Sequence, residues 1–361
     1  MNKKTRYYFK LAFYATLVLV GQSSATLLGR LYFEKGGKSK WMATVIQLAG
    51  FPILLPYYFF ISSTKKFTTN KNNNINIIHP NQPSIFMLAF VYVSIGLILA
   101  FICYLYSIGL LYLPVSTFTL ICSSQLGFNA LFAFFLNSLK FTPYIINSLV
   151  LLTISSSLLV FQSESSNSTN VSKKNYVIGF ICTLGASAGY GLVLSLTQLA
   201  FKKVLKNENF KAIMDMIIYQ SLVATCATLI GLFASGEWNS IKKEMEEFEM
   251  GKASYVLDLT FIAISWQVFN IGSVGLIFEI SSLFSNAISV LGLPIVPILA
   301  VAFFQEKMDG IKAISMVLAV WGFISYVYQQ YLDESNNKVE NRNTLDVTKG
   351  SLPLEEVNIR S

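Results

Sequence analysis

The sequence has few charged residues and a single histidine. Only 13% of its 361 residues are Asp, Glu, Lys or Arg, whereas soluble domains carry roughly 25%. The histidine, His79, stands beside Pro80 in a polar stretch, and the apolar segments contain no HExxH motif, acidic metal cluster or Ser–His pair. This composition argues against a soluble protein and against an integral-membrane enzyme, and we expect neither a cofactor nor a bound metal.

The four cysteines lack the spacing of a disulfide framework or a zinc site. Each falls inside an apolar run, where cysteine behaves as a small hydrophobic residue; they are Cys103, Cys122, Cys182 and Cys226. The basic residues that give the net charge of +8 are scattered over tails and short loops. We interpret them as neighbours of lipid headgroups, since no basic stripe alternates with exposed aromatics as nucleic-acid binding would require.

Long apolar runs, by contrast, are abundant. Hydrophobic residues make up 53% of the chain, and runs of about 20 residues, enough to cross a bilayer as a helix, recur along it. They predict an all-α integral membrane protein. The ten predicted transmembrane helices are residues 11–32, 41–61, 85–109, 114–136, 143–161, 176–200, 212–234, 256–278, 282–304 and 309–330.

The termini and the longer loops are polar. Ten spans place both termini on one side of the membrane, and the distribution of Lys and Arg favours the cytoplasmic side. Residues 1–10 are therefore predicted to be a cytoplasmic tail, and the polar residues 332–361 a disordered cytoplasmic tail. Residues 235–253 mix glutamates with lysines, and we expect a short surface helix with solvated charges there.

A faint internal repeat divides the chain. Residues 134–161 and 303–328 share a Phe pair, a basic residue and a long apolar run, and the glycine-led runs at 21–33 and 185–201 lie at a similar offset. Five helices per half is an odd number, so two copies would insert in opposite orientations, as in many secondary transporters. The predicted units are a first five-helix half, a connecting loop and a second five-helix half, at residues 11–161, 162–175 and 176–331.

Amide side chains recur in the middle of the predicted spans. Unpaired polar groups facing lipid are costly, so we expect these amides to face other helices or water. In CSSQLGFNALFAFF (122–135), Gln125 and Asn129 lie on one helix face with Phe118, and a flat heterocycle would stack and hydrogen bond there. The predicted substrate cavity is lined by Gln22, Gln47, Phe118, Gln125, Asn129, Gln267, Asn270 and Asn286. For any single amide, hydrogen bonding between packed helices is the alternative.

Charged residues are nearly absent from the span interiors. The scarcity of interior Lys and Arg, with Arg30 interpreted as interfacial, favours a neutral or weakly basic solute over a phosphorylated one. Glu279, between the eighth and ninth spans, is the candidate for proton coupling, with an interfacial carboxylate as the alternative. Pro294 and Pro297 remove backbone donors and are candidate hinges, although static kinks fit equally well.

Three segments resemble plant purine permeases, members of the drug/metabolite transporter superfamily. They are RLYFEKGGKSKW (30–41) and residues 113–161 and 281–329, and the likeness extends over residues 11–331. The resemblance implies ten spans in two inverted halves and a proton-coupled plasma-membrane carrier that takes up purine bases. It also admits cytokinins, pyridoxine or plant alkaloids of the nicotine or benzylisoquinoline type.

The partners that the resemblance implies are a small nitrogen-heterocyclic solute, a proton and the lipid bilayer. Gln125 and Asn129 fall within a matching motif of the fourth span. A nucleotide-sugar antiporter of the same superfamily and a non-transporting membrane scaffold are the alternatives. The particular solute and the oligomeric state stay open.

Overall fold

The computed structural model describes most of the helical part of the chain. The described residues are 3–56, 84–138, 142–158 without 149, 152–153 and 156–157, 173–205, 210–292, 295–305, and 309–332 without 319, 323, 326–327 and 330–331. Over these residues the regular structure is entirely helical, with no β-strand. The prediction of an all-α protein is confirmed for this part of the chain.

The helices are numbered in chain order. They are α1 Lys3–Glu34, α2 Lys40–Leu48, α3 Ile85–Tyr112, α4 Val115–Cys122, α5 Gln125–Asn137, α6 Lys173–Ala200, α7 Phe210–Ala234, α8 Ile241–Glu247, α9 Lys252–Glu279, α10 Ser282–Gly292 and α11 Ile295–Phe304. Short 3-10 helices occupy Phe51–Leu54 and Glu237–Ser240, and a π-helical turn at Phe201–Leu205 extends α6. Residues 143–148 and 310–318 are also helical.

Within the described residues, six helical segments are long and apolar enough to cross a membrane. They are Thr5–Glu34, Ile85–Tyr112, Val115–Asn137, Lys174–Leu205, Phe210–Ala234 and Lys252–Glu279. Each coincides with one predicted span. The other four predicted spans, at 41–61, 143–161, 282–304 and 309–330, include residues outside the described part of the chain. The arrangement of ten spans in two halves therefore stays a prediction.

The outward faces of the long helices are apolar. On α3, for example, Ile85, Phe86 and Phe90 are 85%, 88% and 70% exposed. Soluble proteins avoid large continuous apolar surfaces, whereas lipid tails cover them without cost. The helices and their exposed faces are those of a multi-pass membrane protein.

Backbone contact joins α1 to α9. A Cβ atom at Gly21 would lie 2.6 Å from the amide nitrogen of Phe269, and one at Gly272 would lie 2.6 Å from the carbonyl oxygen of Tyr14. No side chain fits in so small a gap, so the two helices approach through their glycines, as small residues commonly allow in membranes. This contact fixes α9 against α1 at the level of Gln22.

Residues 235–251 connect α7 to α9 and are called the cap segment below. The predicted short helix is present there as α8. The expectation that its charges are all solvated is wrong for Glu244, which is only 3% exposed. Glu244 accepts hydrogen bonds from several donors, so its burial is compensated.

Candidate functional site

A cavity opens between helices from both predicted halves of the chain. Its wall is formed by α1 to α6 and α9, and its empty volume of about 1010 Å³ includes some solvent space beyond the protein atoms. The described lining includes seven aromatic residues: Tyr32, Phe33, Tyr106, Phe118, Tyr190, Trp266 and Phe269. No Asp, Glu, Lys, Arg or His is among the described residues that line the cavity. An apolar, aromatic pocket with a few polar groups is the usual form of a small-molecule site.

The aromatic residues present edges and faces at different angles. The rings of Tyr106 and Phe118 are 5.8 Å apart and nearly perpendicular, at 74°. Trp266 and Phe269 have a similar arrangement, with centroids 5.5 Å apart at 87°. A flat ligand ring entering this cavity therefore meets aromatic surface on the α3–α4 side and on the α9 side.

The structure brings five of the predicted site residues to the cavity wall. They come from α1, α2, α4, α5 and α9 and are Gln22, Gln47, Phe118, Gln125 and Asn270. Four of the five carry amides, each of which offers a donor and an acceptor.

A serine on α10 links two of these amides. The hydroxyl of Ser289 donates to Oε1 of Gln22 at 2.7 Å, and Nε2 of Gln125 donates to the same hydroxyl at 3.2 Å. Ser289 was missed in the sequence, because a serine in an apolar run carries little signal. One signal was available: Ser289 follows Gln125 by 164 residues, the offset that also separates Gly21 from Gly185 in the predicted repeat.

Several amide atoms at the cavity have no partner among the described residues. Nε2 of Gln47 donates to the Ser107 hydroxyl at 2.9 Å, which leaves its Oε1 free. Gln22 uses Oε1 and leaves Nε2 free. Asn270 is half-buried and makes no side-chain hydrogen bond within the described structure. A free amide pairs through its donor and acceptor with the edge of a heterocycle, as Asn and Gln do with adenine.

The other three predicted residues lie outside the cavity lining. Asn129 is fully buried between helices, where its Nδ2 donates to the Ser282 carbonyl at 3.1 Å and its Oδ1 accepts from the Ser195 hydroxyl at 2.8 Å. The reason is close packing of α5 on α6, since a Cβ at Gly191 would lie 2.6 Å from the Asn129 nitrogen. Asn129 thus hydrogen bonds between packed helices and does not line the cavity.

Asn286 and Gln267 are also buried beside the cavity. Nδ2 of Asn286 donates to the backbone oxygen of Gln125 at 3.0 Å, so Asn286 positions a cavity residue without lining the cavity. Gln267 follows the cavity-lining Trp266 in the sequence. It is buried, and its Nε2 has no partner among the described residues. Gln267 does not line the cavity, whereas Asn270 does. Helical spacing alone does not predict this difference, because residues three apart lie on roughly the same face of a helix.

The acidic candidate Glu279 forms an ion pair with Lys10 at the ends of α9 and α1 and does not line the cavity. Asp258, which the sequence analysis passed over, is 7% exposed, and both of its carboxylate oxygens lack a partner among the described residues. It directly precedes the cavity-lining Leu259 on α9. An acidic residue inside a predicted span was the signal that pointed to it.

The hinge candidates are only partly described. Pro297 lies within α11, and Pro294 lies outside the described residues. The described residues contain no group of three or more His, Cys, Asp or Glu side chains placed to hold a metal ion.

The comparisons with known proteins agree with the resemblance seen in the sequence. A family model described as purine nucleobase transmembrane transport matches residues 9–336. The chain is 59% identical over 334 residues to purine permease 21 of Arabidopsis thaliana, covering 92% of this chain and 84% of that protein. It is 60% identical over 331 residues to probable purine permease 10 of the same plant, covering 92% and 83%.

A solved crystal structure shares the fold. It superposes with a TM-score of 0.50 over 89% of this chain and 96% of that protein, at 14% sequence identity. At this identity the likeness concerns the course of the chain and carries no information about the solute.

Proposed function

This chain belongs to the purine permease family, and from that membership and the lining of the cavity we infer that it carries purine bases and related neutral nitrogen heterocycles across a membrane. As a permease, it is a transporter and not an enzyme. The observation that supports the solute class is an aromatic cavity whose described lining has no charged residue. The amides of Gln22, Gln47 and Asn270 at this cavity have atoms without a partner among the described residues.

The chemistry of a purine base complements this lining. A purine is a flat ring that stacks on aromatic side chains, and its ring nitrogens and exocyclic groups require donors and acceptors in the ring plane. The cavity supplies both, through residues such as Phe118 and Trp266 and through its amides. A nucleotide sugar would require Arg or Lys for its phosphates, and the described lining offers neither.

Larger heterocycles are part of the proposal. The polar groups Gln22, Gln125 and Asn270 share the cavity with the apolar side chains Leu259 and Ile262. The proposed solutes therefore include cytokinins, which are adenines with an apolar substituent. They also include pyridoxine and plant alkaloids of the nicotine or benzylisoquinoline type. An amide-lined part would hold the ring nitrogens, and an apolar part would hold the substituent.

The proposed architecture is ten spans in two inverted five-helix halves, residues 11–161 and 176–331. The Gln125–Ser289 hydrogen bond supports it, because the partners are one repeat offset apart and come from different halves. We propose that the halves rock about the cavity, with Pro294 and Pro297 as hinges, in a plasma membrane with both termini cytoplasmic.

The test of this function is uptake of labelled adenine into cells that lack their own carrier, competed by unlabelled compounds. We expect saturable uptake that adenine, cytokinins or alkaloids inhibit and that a nucleotide sugar does not. Competition by the nucleotide sugar would support the antiporter alternative. Absence of uptake of every compound in reconstituted vesicles would support a membrane scaffold.

Proton coupling is the proposed source of energy, and Asp258 is the described acidic side chain whose surroundings fit it best. A buried carboxylate without a partner in a membrane helix is a functional candidate. Asparagine keeps the shape of Asp258 but cannot release a proton, so we expect Asp258→Asn to abolish accumulation of adenine against its gradient. Exchange of internal for external adenine should persist.

The control is Glu279→Gln, which removes the ion pair with the half-exposed Lys10. The Lys10 side chain is 44% exposed and can be solvated when the pair is lost, and Glu279 does not line the cavity, so accumulation by this variant should stay near that of the wild type. Uptake of labelled adenine, with and without a protonophore, measures both variants. Normal protonophore-sensitive accumulation by Asp258→Asn would reject Asp258, and loss in Glu279→Gln alone would restore Glu279 as the coupling candidate.

A further inference from the structure

Buried polar contacts join the cap segment to one end of the cavity. The Glu244 carboxylate, on α8, accepts hydrogen bonds from the phenol groups of Tyr32 and Tyr255, the latter at 3.1 Å. Its other oxygen accepts from the backbone nitrogens of Lys38 and Ser39, each at 3.0 Å. These five residues are called the Glu244 cluster. They connect α1, the α1–α2 turn, the cap segment and α9.

A second carboxylate of the cap segment holds the start of α2. Oε2 of Glu237 accepts from the Ser39 hydroxyl at 2.7 Å and from the Trp41 nitrogen at 3.1 Å. The Ser39 hydroxyl also caps α2 by accepting from the Met42 nitrogen at 2.9 Å. Acidic groups are favourable at a helix N-terminus, where the backbone donors are unpaired.

The α1–α2 turn is shaped to receive the cap segment. Gly36 has a φ of +110°, which favours glycine, and a Cβ at Gly37 would lie 2.6 Å from the Tyr32 ring. The backbone nitrogen of Glu249 donates to the Lys35 carbonyl at 3.0 Å. The segment RLYFEKGGKSKW, which carries part of the family resemblance, thus forms the surface on which the cap segment lies.

Tyr32 is the link between this cluster and the transport path. It lines the cavity, is only 1% exposed, and its phenol hydroxyl donates a hydrogen bond to Glu244. Phe248 of the cap segment packs beside it and against Tyr255, with ring centroids 5.2 Å apart. Any opening of the cavity at this end must therefore break the contact between Tyr32 and Glu244, either by moving Tyr32 or by moving the cap segment together with Glu244.

We propose that the Glu244 cluster is the gate at the outer end of the cavity, and that Glu244 is a positioning residue that holds Tyr32 and the start of α2 in the closed state. The proposal rests on the proposed function in assuming an alternating-access cycle. The predicted orientation places the cap segment outside the cell. The Glu244 carboxylate is held by hydrogen bonds, and water can take the place of each donor. The gate can therefore open without leaving this charge buried and unpaired.

The test measures access to the cavity and does not depend on the solute. Cys103 and Cys122 are buried and line the cavity, so a membrane-impermeant thiol reagent reaches them only when an end opens. In Glu244→Gln, an NH2 group replaces one carboxylate oxygen, so a donor faces the donors of the Glu244 cluster and the closed state is weakened. We expect modification of Cys103 and Cys122 from outside intact cells to rise about tenfold. Mass spectrometry of the surface protein measures it.

Three further variants make the result specific. Tyr32→Phe removes one donor and keeps the ring, so it should raise outside modification in the same direction. Glu244→Asp keeps the carboxylate and should restore most of the protection. Glu246→Gln, on the same short helix, alters only an exposed pair with Lys252 at 3.3 Å and should behave as the wild type.

Two outcomes would overturn the gate. One is unchanged outside modification in both Glu244→Gln and Tyr32→Phe. The other is a rise in modification only from the inner face, measured in inverted vesicles, because that would place the cap segment on the other side. If Glu244→Gln does not reach the cell surface, Tyr32→Phe decides. If the protein does not take up adenine but the variants change cysteine modification as expected, the proposed solute is rejected and the proposed gate is retained.

Discussion

Cells that express the Gly21→Ala variant are expected to contain little folded carrier. The new Cβ would lie 2.6 Å from the Phe269 nitrogen and 2.8 Å from the Ser265 carbonyl oxygen, both of which are backbone atoms of α9. No side-chain rotation relieves such contacts, so α1 must move away from α9. Overpacking of this kind costs about 3 kcal/mol. Monodisperse yield in detergent and melting temperature measure the effect.

Gly185→Ala is the matched control for this prediction. It also adds one methyl group to a glycine inside a membrane helix, but its Cβ would meet only Leu105 Cδ1, at 3.8 Å. Alanine is the better helix former by about 1 kcal/mol, so yield and melting temperature should equal or exceed those of the wild type. A Gly21→Ala protein as stable as Gly185→Ala would contradict the backbone contact between α1 and α9.

Replacing Gln125 with leucine should reduce adenine uptake by about tenfold or more at subsaturating adenine. Leucine removes one hydrogen-bonding group from the cavity and leaves Ser289 less well held, and a loss of about 1.4 kcal/mol in binding free energy lowers the affinity tenfold. Gln125 lines the cavity and holds Ser289, which in turn holds Gln22. Leucine has a similar volume, so the fold should persist. Surface expression is the required control measurement.

Two nearby amides give contrasting controls. Gln267→Leu removes a buried amide that lies outside the cavity lining and whose Nε2 has no partner in the described part of the chain, so uptake and stability should persist. Asn129→Leu removes the partner of both Ser195 and Ser282 in the helix packing, so we expect loss of folded protein and not a selective loss of uptake. Selective loss in Asn129→Leu with normal expression would return Asn129 to the cavity.

Hydropathy and amide content predicted much of this arrangement. Apolar runs located the six long helices because the bilayer imposes both their length and their composition. The cost of unpaired polar groups in lipid also located the amides, and Gln22, Gln47, Gln125 and Asn270 do line the cavity. Whether they bind the solute stays a prediction.

The orientation of individual side chains was beyond the sequence. Asn129 shares a helical face with Gln125, yet the approach of Gly191 turns that part of α5 into a helix contact. Which of two amides faces the cavity depends on the neighbouring helix, and a single-helix pattern contains no information about that neighbour.

Glu244 shows a second limit of sequence analysis. In a stretch of glutamates and lysines, nothing marks one carboxylate as buried, because its burial depends on donors more than 200 residues away at Lys38 and Ser39. The glycine pair beside those donors was visible in the sequence, but the surface that it forms was not. Tertiary contacts of this separation follow only from the assembled fold.

Equilibrium binding of labelled adenine to the purified protein, compared among the wild type, Gln125→Leu and Gln267→Leu, tests most directly whether the cavity holds the solute. We expect saturable binding by the wild type, similar binding by Gln267→Leu, and binding about tenfold weaker by Gln125→Leu. Equal binding by wild type and Gln125→Leu, or loss in Gln267→Leu alone, would contradict this expectation and would place the solute outside the cavity described by these helices.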